Sequence, residues 1–340
     1  RSQSLSNLSM NPVHLAINAM KYLSELVWIK PFVASNRDRT ATGQNTIFVI
    51  SHPRGGSNWL AEMLAYGQRA LVIDEPLWRG HYISVSHMPS PKEGKIKEWT
   101  RLGMYYDQHI PVGTSWVEAK DLLTEMITGR IVNYDLYDRN HWSDLKSDKI
   151  HIVKFCYAHL MLPWILGHFP FKTIVLHRHP CAVVSSQLNY YAMNKIIHNP
   201  SGELPSFTYD SIQRQFAYIW KAVKTKEQYL AAIWSLKTWY LTQHDESSRW
   251  LTVYYEHLVS DFDREMLRIG NYLEMPVQET AGLIRNKPSQ SSLKDKPMEG
   301  SRQLAKWKSH LSNQQIADIL ALVREFGIDA YDDSLMPLKR

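Results

Sequence analysis

Short apolar runs alternate with helix-period stretches along most of this chain. The segments Thr46 to Ile50, Ala70 to Ile73, Lys149 to Phe155, Lys172 to Leu176 and Trp250 to Glu256 are rich in Ile, Val, Leu and aromatic residues. Apolar runs of that length predict strands covered on both faces. Helical spacing follows from Trp59 to Leu64 and after Pro180, and recurs from Tyr209 to Gln243, near 261 to 274, 276 to 286 and 312 to 326. Strands that alternate with helices predict an α/β fold, a doubly wound parallel β-sheet flanked by helices.

Three stretches stand outside this rhythm. From Pro12 to Ile29, the residues Val13, Ala16, Ile17, Met20, Leu23, Leu26 and Val27 form one apolar helical face, expected to pack on the body of the protein. Between Trp78 and Asp148 the periodicity loosens among Pro89, Pro91, Gly94, Gly103 and Gly113, with Trp99, Tyr105, Tyr106, Trp116 and Trp142 scattered through it. That composition predicts a helix-and-loop insertion, a natural place for specificity. The expected organisation is a helical extension over 1–45, one domain over 46–326 containing the insertion at 78–148, and a tail over 327–340.

Composition narrows the class. With 340 residues, 44% hydrophobic and 21% charged, the chain is ordinary globular protein, long enough for one large core. The net charge of +6 suits an anionic partner, but the basic residues are dispersed, which argues for a small charged nucleotide and against nucleic acid. Cys156 and Cys181 are the only cysteines and form no C-x-x-C, so neither a disulfide framework nor a cysteine-built metal site is expected, and a reducing, cytoplasmic setting is the simpler expectation. The longest uncharged run, Phe155 to Phe171, contains His159, Pro163, His168 and Pro170 and is no membrane span. The first residue is Arg1, so a removed N-terminal anchor and a Golgi-lumen setting stay open. Asn7-Leu8-Ser9 has the form of a glycosylation sequon.

The most informative stretch runs from Thr46 to Leu64. An apolar strand is followed by Ser51-His52-Pro53-Arg54-Gly55-Gly56-Ser57-Asn58 and then by a helix that Gly67 can end. Two glycines at a helix start let backbone N–H groups face an anion, which the helix dipole also favours. A nucleoside-triphosphate loop would require G-x-x-x-x-G-K-[ST]; here no lysine follows the second glycine, and Gly94-Lys95 lacks the upstream glycine. A second strand-loop-helix unit carries Arg178-His179-Pro180. There Arg178 ends a strand and Ser186 lies about two turns into the next helix, so guanidinium and hydroxyl can converge on one phosphate.

Pro53-Arg54-Gly55-Gly56-Ser57-Asn58-Trp59-Leu60 resembles the 5′-phosphosulfate loop of the sulfotransferases that use 3′-phosphoadenosine 5′-phosphosulfate (PAPS), in an arginine-loop form. Arg178-His179-Pro180 with Ser186 is similar to the 3′-phosphate motif of that family. Tyr255-Glu256-His257-Leu258 and Arg302 through Trp307-Lys308 to Leu311 resemble two further family segments, in the same order. The resemblance implies the P-loop-like sulfotransferase fold, with PAPS as donor and PAP as product. By that likeness, Gly55, Gly56, Ser57 and Asn58 would hold the 5′-phosphosulfate, with Arg54 as the cation at the bridging oxygen. Arg178 and Ser186 would hold the 3′-phosphate, Arg302 and Lys306 would close over it, and Trp59 would stack on adenine. Arg178 also admits a structural role, as a strand-end arginine paired with a nearby carboxylate, and Trp59 one as a helix-to-core residue.

Sulfuryl transfer needs a cation at the leaving oxygen and a base at the acceptor, with no metal required. Cytosolic members of the family commonly carry Lys-Thr-His on the next core strand; here Lys154-Phe155-Cys156 keeps the lysine and loses the histidine. Arginine-loop members use a glutamate after the first helix, a position matched by Glu75 in Asp74-Glu75-Pro76. Glu75 is therefore the first candidate base and His159 the second, ahead of His52 and His81. The expected acceptor is a hydroxyl of a sugar, lipid or small molecule, bound against aromatic surfaces that include Tyr190 and Tyr191. A kinase-like nucleotide-binding protein and a catalytically silent PAP-binding module are the alternatives.

Overall fold

A computed structural model of the chain describes residues 12–77, 108–190, 211–244, 249–286 and 300–338. His81, Tyr191, Gly94-Lys95, the Asn7 sequon and the 78–107 part of the expected insertion lie outside the described residues. Five parallel strands form one sheet: β1 (Thr46–Ser51), β2 (Ala70–Asp74), β3 (Ile150–Phe155), β4 (Lys172–His177) and β5 (Leu251–Tyr254). Their order in space is β2-β3-β1-β4-β5. The chain thus winds outward in both directions from the central β1, as the alternation of apolar runs predicts.

Strand alternation divides the core into two. Ile47 and Val49 of β1 join Val72, Ile152, Ile174 and Val253 on one face of the sheet. Phe48 and Ile50 join Ile73, Val153, Phe155 and Val175 on the other. The first face is covered by α3 (Ser57–Ala65) and, beyond β5, by α8 (Tyr255–Ser260) and α9 (Phe262–Leu273). The second is covered by α4 (Val117–Ile127), α5 (Leu162–His168), α6 (Pro180–Leu188) and α7 (Lys226–Thr242), with α11 (Asn313–Glu325) packed on α6 and α7. Helix α7 is buried on nearly all sides, with Leu230, Trp234, Leu236 and Tyr240 among its buried residues, and starts at a capping box of Thr225 and Gln228. The stretch read as helical from Tyr209 contains α7 preceded by two short helices, Ser211–Gln215 and Ala217–Ala222.

Two expectations are corrected. The last strand stops at Tyr254, and Tyr255 and Glu256 open a helix instead of extending the sheet. At the N-terminus, α1 (Pro12–Ser24) runs through a π turn (Glu25–Ile29) into α2 (Lys30–Ser35). Val13, Ile17, Met20, Leu23, Leu26 and Val27 are exposed, and the residues buried against the body are Glu25, Ile29 and Phe32. Glu25 accepts the Tyr134 N–H at 2.9 Å, and Lys21 pairs with Asp135, so polar anchors decide which side of the helix faces inward. Among the described residues, no helix is long and apolar enough to cross a membrane.

The register of the strands sets up the site. Asp74 lies opposite Lys154, Ile50 lies between Phe155 and Val175, and His177 lies opposite Tyr254. Every loop that follows a strand therefore emerges at one edge of the sheet, where ligands of open α/β folds bind. Phe48 holds the middle of the second face, fully buried with edge-on contacts to Phe155 at 5.5 Å and Phe171 at 5.2 Å. Phe48→Ala is expected to cost about 3–5 kcal/mol in chemical denaturation, because the rigid sheet cannot collapse into the space left.

Candidate active site

The loop between β1 and α3 takes its shape from its glycines. Gly55 N–H donates to the His52 carbonyl at 2.8 Å, and a Cβ on Gly55 would lie 2.3 Å from Ser51 Oγ. Gly56 has a left-handed φ of 100°, and its Cβ would lie 2.5 Å from the Tyr255 ring. Neither position has room for a side chain. Since the Gly55 amide closes the turn, the donors at the mouth are those of the first turn of α3, which no side chain caps. Gln187 of α6 donates to the Pro53 carbonyl at 2.8 Å and pins the loop from the far side.

Arginines from the first and second strand-loop-helix units meet beside this loop. Arg178 donates to the Arg54 carbonyl at 3.0 Å and lies over the Tyr255 ring at 4.3 Å, while its buried Nε has no protein hydrogen-bond partner. Arg54, itself at a left-handed φ of 69°, donates from Nε to Ser186 Oγ at 3.1 Å and lies over the Tyr190 ring at 4.9 Å. Arg54 thus stands between Arg178, which bonds its carbonyl, and Ser186, which accepts from its side chain. Trp59 sits 5.6 Å from the Tyr255 ring and donates to the Arg285 carbonyl. Uncapped amides, two arginines with an unmet buried N–H, and a partly exposed indole fit an adenine nucleotide carrying phosphate at two positions.

A lock behind Arg178 was not legible in the sequence. His179 N–H donates to Glu256 at 2.8 Å, its Nδ1 accepts from the Cys181 N–H, and its Nε2 pairs with the Asp332 carbonyl at 2.8 Å. The imidazole stacks on Trp307 at 4.6 Å, which docks the C-terminal segment carrying Lys306 onto the Arg178 loop. Arg302, in the short helix α10 (Gly300–Ala305), is exposed; its neighbour Gln303 bonds the Tyr255 hydroxyl. Burial pushes His179 down to about 4, so the ring is neutral at pH 7.

The strand ends of β2 and β3 supply the carboxylates. Lys154, 4% exposed, lies 2.6 Å from Asp74 Oδ1 and 3.0 Å from Glu75 Oε1, and donates to Asn58 of α3. Burial alone would lower its pKa, but the two carboxylates outweigh that and raise it, so the ammonium stays charged. Glu75 adopts a left-handed φ of 47° and accepts the Cys156 N–H at 2.7 Å through its other oxygen. The cysteine that replaces the expected histidine lies with its thiol 3.5 Å from Ser57 Oγ; burial and then Glu75 push its pKa well up, so it is an unionised spacer.

His159 is placed differently. Its ring stacks on His52 at 4.6 Å, and His52 in turn stacks on Trp234 and bonds Thr238 at 3.0 Å. Both imidazoles are held neutral, first by burial and then by charged neighbours that include Lys237. Asp74, Arg139, Tyr255 and Glu256 are site residues to which sequence reasoning gave no role; Asp74 carried a signal as the neighbour of Glu75 in a strand-end pair, and Tyr255 and Glu256 as part of a segment that resembles the family's.

Fold and site together define an α/β chain with a glycine-shaped loop at the sheet's ligand edge and two arginines beside it. The sulfotransferase domain family matches residues 44–322, and the chain belongs to that family. It is a PAPS-dependent sulfotransferase, which removes the kinase-like alternative. Among solved structures it is similar to the sulfotransferase domain of a Synechococcus olefin synthase, with 18% identity, a TM-score of 0.44, and 86% of this chain and 98% of that one covered. It is also similar to a mouse sulfotransferase complexed with PAP, with 19% identity, a TM-score of 0.44, and coverage of 89% and 90%. A sulfotransferase from Mycobacterium avium matches at 12% identity and a TM-score of 0.48, with coverage of 96% and 88%. No curated protein matches the chain.

The lock around Glu256 has a pH signature. Burial raises its pKa from 4.5 to about 6, against the opposing effect of the His179 N–H. The folded state therefore binds this proton more tightly than the unfolded chain. The resulting stability is fully present below about pH 4.5 and is lost as pH rises through about 6. Relative to Glu256→Gln, wild-type stability should fall by on the order of 2 kcal/mol across that window in denaturation at stepped pH.

Proposed function

We propose that this enzyme transfers the sulfuryl group of PAPS to a hydroxyl of a sugar, lipid or small-molecule acceptor by in-line displacement, with Glu75 as general base. The observation that carries the reading is the Glu75 carboxylate itself. It lies at a strand end, held by Lys154 at 3.0 Å and the Cys156 N–H at 2.7 Å, while Lys154 also grips Asn58 of the anion loop. Base and loop are thus joined through one ammonium. His159 is instead buried, with its ring stacked on His52.

PAPS supplies an activated sulfuryl group whose leaving oxygen takes up negative charge. Glu75 takes the proton from the acceptor hydroxyl as the acceptor oxygen bonds to sulfur. The bond from sulfur to the bridging phosphate oxygen breaks with its electron pair staying on PAP. In this reading the first-turn amides of α3 and Ser57 face the 5′ group, and Arg178 with Ser186 holds the 3′-phosphate. Arg54, between the loop and Ser186, spans the two and acts by charge, since an arginine does not give up its proton. Arg302 and Lys306 close the site from the C-terminal segment. Lys154 serves the base, because Asp74, Glu75 and Asn58 surround its ammonium. Trp59 and Tyr190 offer flat surfaces for adenine and acceptor.

The test is release of PAP from PAPS in the presence of a monosaccharide, an alkyl alcohol or a phenol. Glu75→Gln should lower kcat roughly 100- to 10,000-fold with PAP affinity retained. Undiminished turnover in that variant, or its loss in His159→Ala instead, overturns the assignment of the base.

A further inference from the structure

The C-terminal segment is fastened to the body of the protein beside Arg178 by two uncharged tethers. Gln303 of α10 donates to the Tyr255 hydroxyl, and the ring of the same tyrosine carries the Arg178 guanidinium on its face at 4.3 Å. Four residues on, Trp307 stacks at 4.6 Å on His179, the residue directly after Arg178. Tyr331 meets that imidazole edge-on at 5.1 Å, and the Asp332 carbonyl lies 2.8 Å from its Nε2. Because His179 Nδ1 accepts the Cys181 N–H, the ring proton sits on Nε2 and donates to Asp332.

Arg302 and Lys306 each stand one residue before a tether. Cations gathered near one another repel, so the segment is not drawn toward Arg178 by its own charges. Arg178 and Lys308 both lie near enough to His179 to disfavour its protonation, after burial. A neutral ring thus joins the segment to the arginine loop. His179 is only 1% exposed, so it cannot itself touch a bound nucleotide.

We propose that His179 and the Tyr255 hydroxyl are positioning groups for the 3′-phosphate: they hold Arg178 and the C-terminal segment as one preformed unit and so set the preference for a 3′-phosphorylated nucleotide. A guanidinium already fixed in place binds phosphate without the cost of ordering it. The proposal rests on the reading that Arg178 holds the 3′-phosphate.

Three substitutions take the tethers apart without removing Arg178. His179→Asn leaves an acceptor for the Cys181 N–H at the start of α6 but has no ring to stack on Trp307. Tyr255→Phe keeps the ring beneath Arg178 and beside Gly56 and removes only the hydroxyl. Gln303→Ala removes the other end of the same bond.

The experiment is calorimetric titration of these variants with PAP and with adenosine 5′-phosphosulfate, which lacks the 3′-phosphate. Tyr255→Phe and Gln303→Ala should each weaken PAP binding roughly three- to tenfold, and the double variant no more than either alone. His179→Asn should weaken it roughly tenfold, with adenosine 5′-phosphosulfate binding unchanged throughout. A merely loosened site would lose both nucleotides alike, so parallel losses overturn the proposal. Unchanged PAP binding in all three single variants, with its loss in Arg178→Ala, overturns the proposal and leaves the reading of Arg178 standing. PAP binding untouched in Arg178→Ala overturns that reading instead; selective losses in the tether variants then uphold their part in the 3′-phosphate preference, and no losses overturn both claims. If His179→Asn does not fold, the Tyr255→Phe and Gln303→Ala pair decides: additive effects, or none, overturn the proposal.

Discussion

A buried ammonium cannot stand without carboxylates, and much of the catalytic edge follows from that constraint. Lys154 is sunk at the end of β3, where an unpaired charge would be prohibitively costly. The parallel register places Asp74 opposite it, and the left-handed turn at Glu75 brings a second carboxylate back to the same nitrogen. Asn58 then ties that centre to the first helix after the anion loop. One charged cluster thereby fixes the distance between the anion loop and the strand-end carboxylate of Glu75. The adjacent thiol of Cys156, pushed into its neutral form by burial and Glu75, adds no further charge.

The nucleotide side depends on a different economy of space. Tyr255 stands at the centre: its ring fills the volume that a Cβ on Gly56 would need, carries the guanidinium of Arg178 on its face and meets the edge of Trp59. Glu256, the next residue, holds the Arg178 loop by the His179 N–H. Both side chains reach these positions because the chain turns into a helix directly after Tyr254. The motif that resembles a strand end is thus a hinge between sheet and helix, and its two residues serve neighbouring parts of the site.

How much of this was legible follows from range in sequence. The five strands were legible because runs buried on both faces are apolar throughout, and the anion loop because glycine pairs at a strand-to-helix turn have few other uses. The second strand-loop-helix unit was legible because Pro180 marks the start of a helix directly after an apolar run. Pairings across long separations were not: nothing near Asp74 announces Arg139, and nothing near His179 announces Glu256 or Trp307. The N-terminal helix shows the converse. Its apolar stripe is plain in the sequence, yet Glu25 and Lys21 anchor the helix to the body and leave Val13, Met20 and Leu23 exposed. Hydrophobic pattern gives the period of a helix; polar partners elsewhere in the chain decide its orientation.

The central claim is a cradle that recognises phosphate at the 3′ position as well as the 5′ position of an adenosine. Calorimetric titration of wild type and Arg178→Ala with PAP, adenosine 5′-phosphosulfate and ATP with magnesium tests it most directly. The account predicts tight binding of PAP by wild type, weak binding of the other two, and loss of the PAP preference in Arg178→Ala. Preference for ATP, or PAP binding untouched by the substitution, would contradict it.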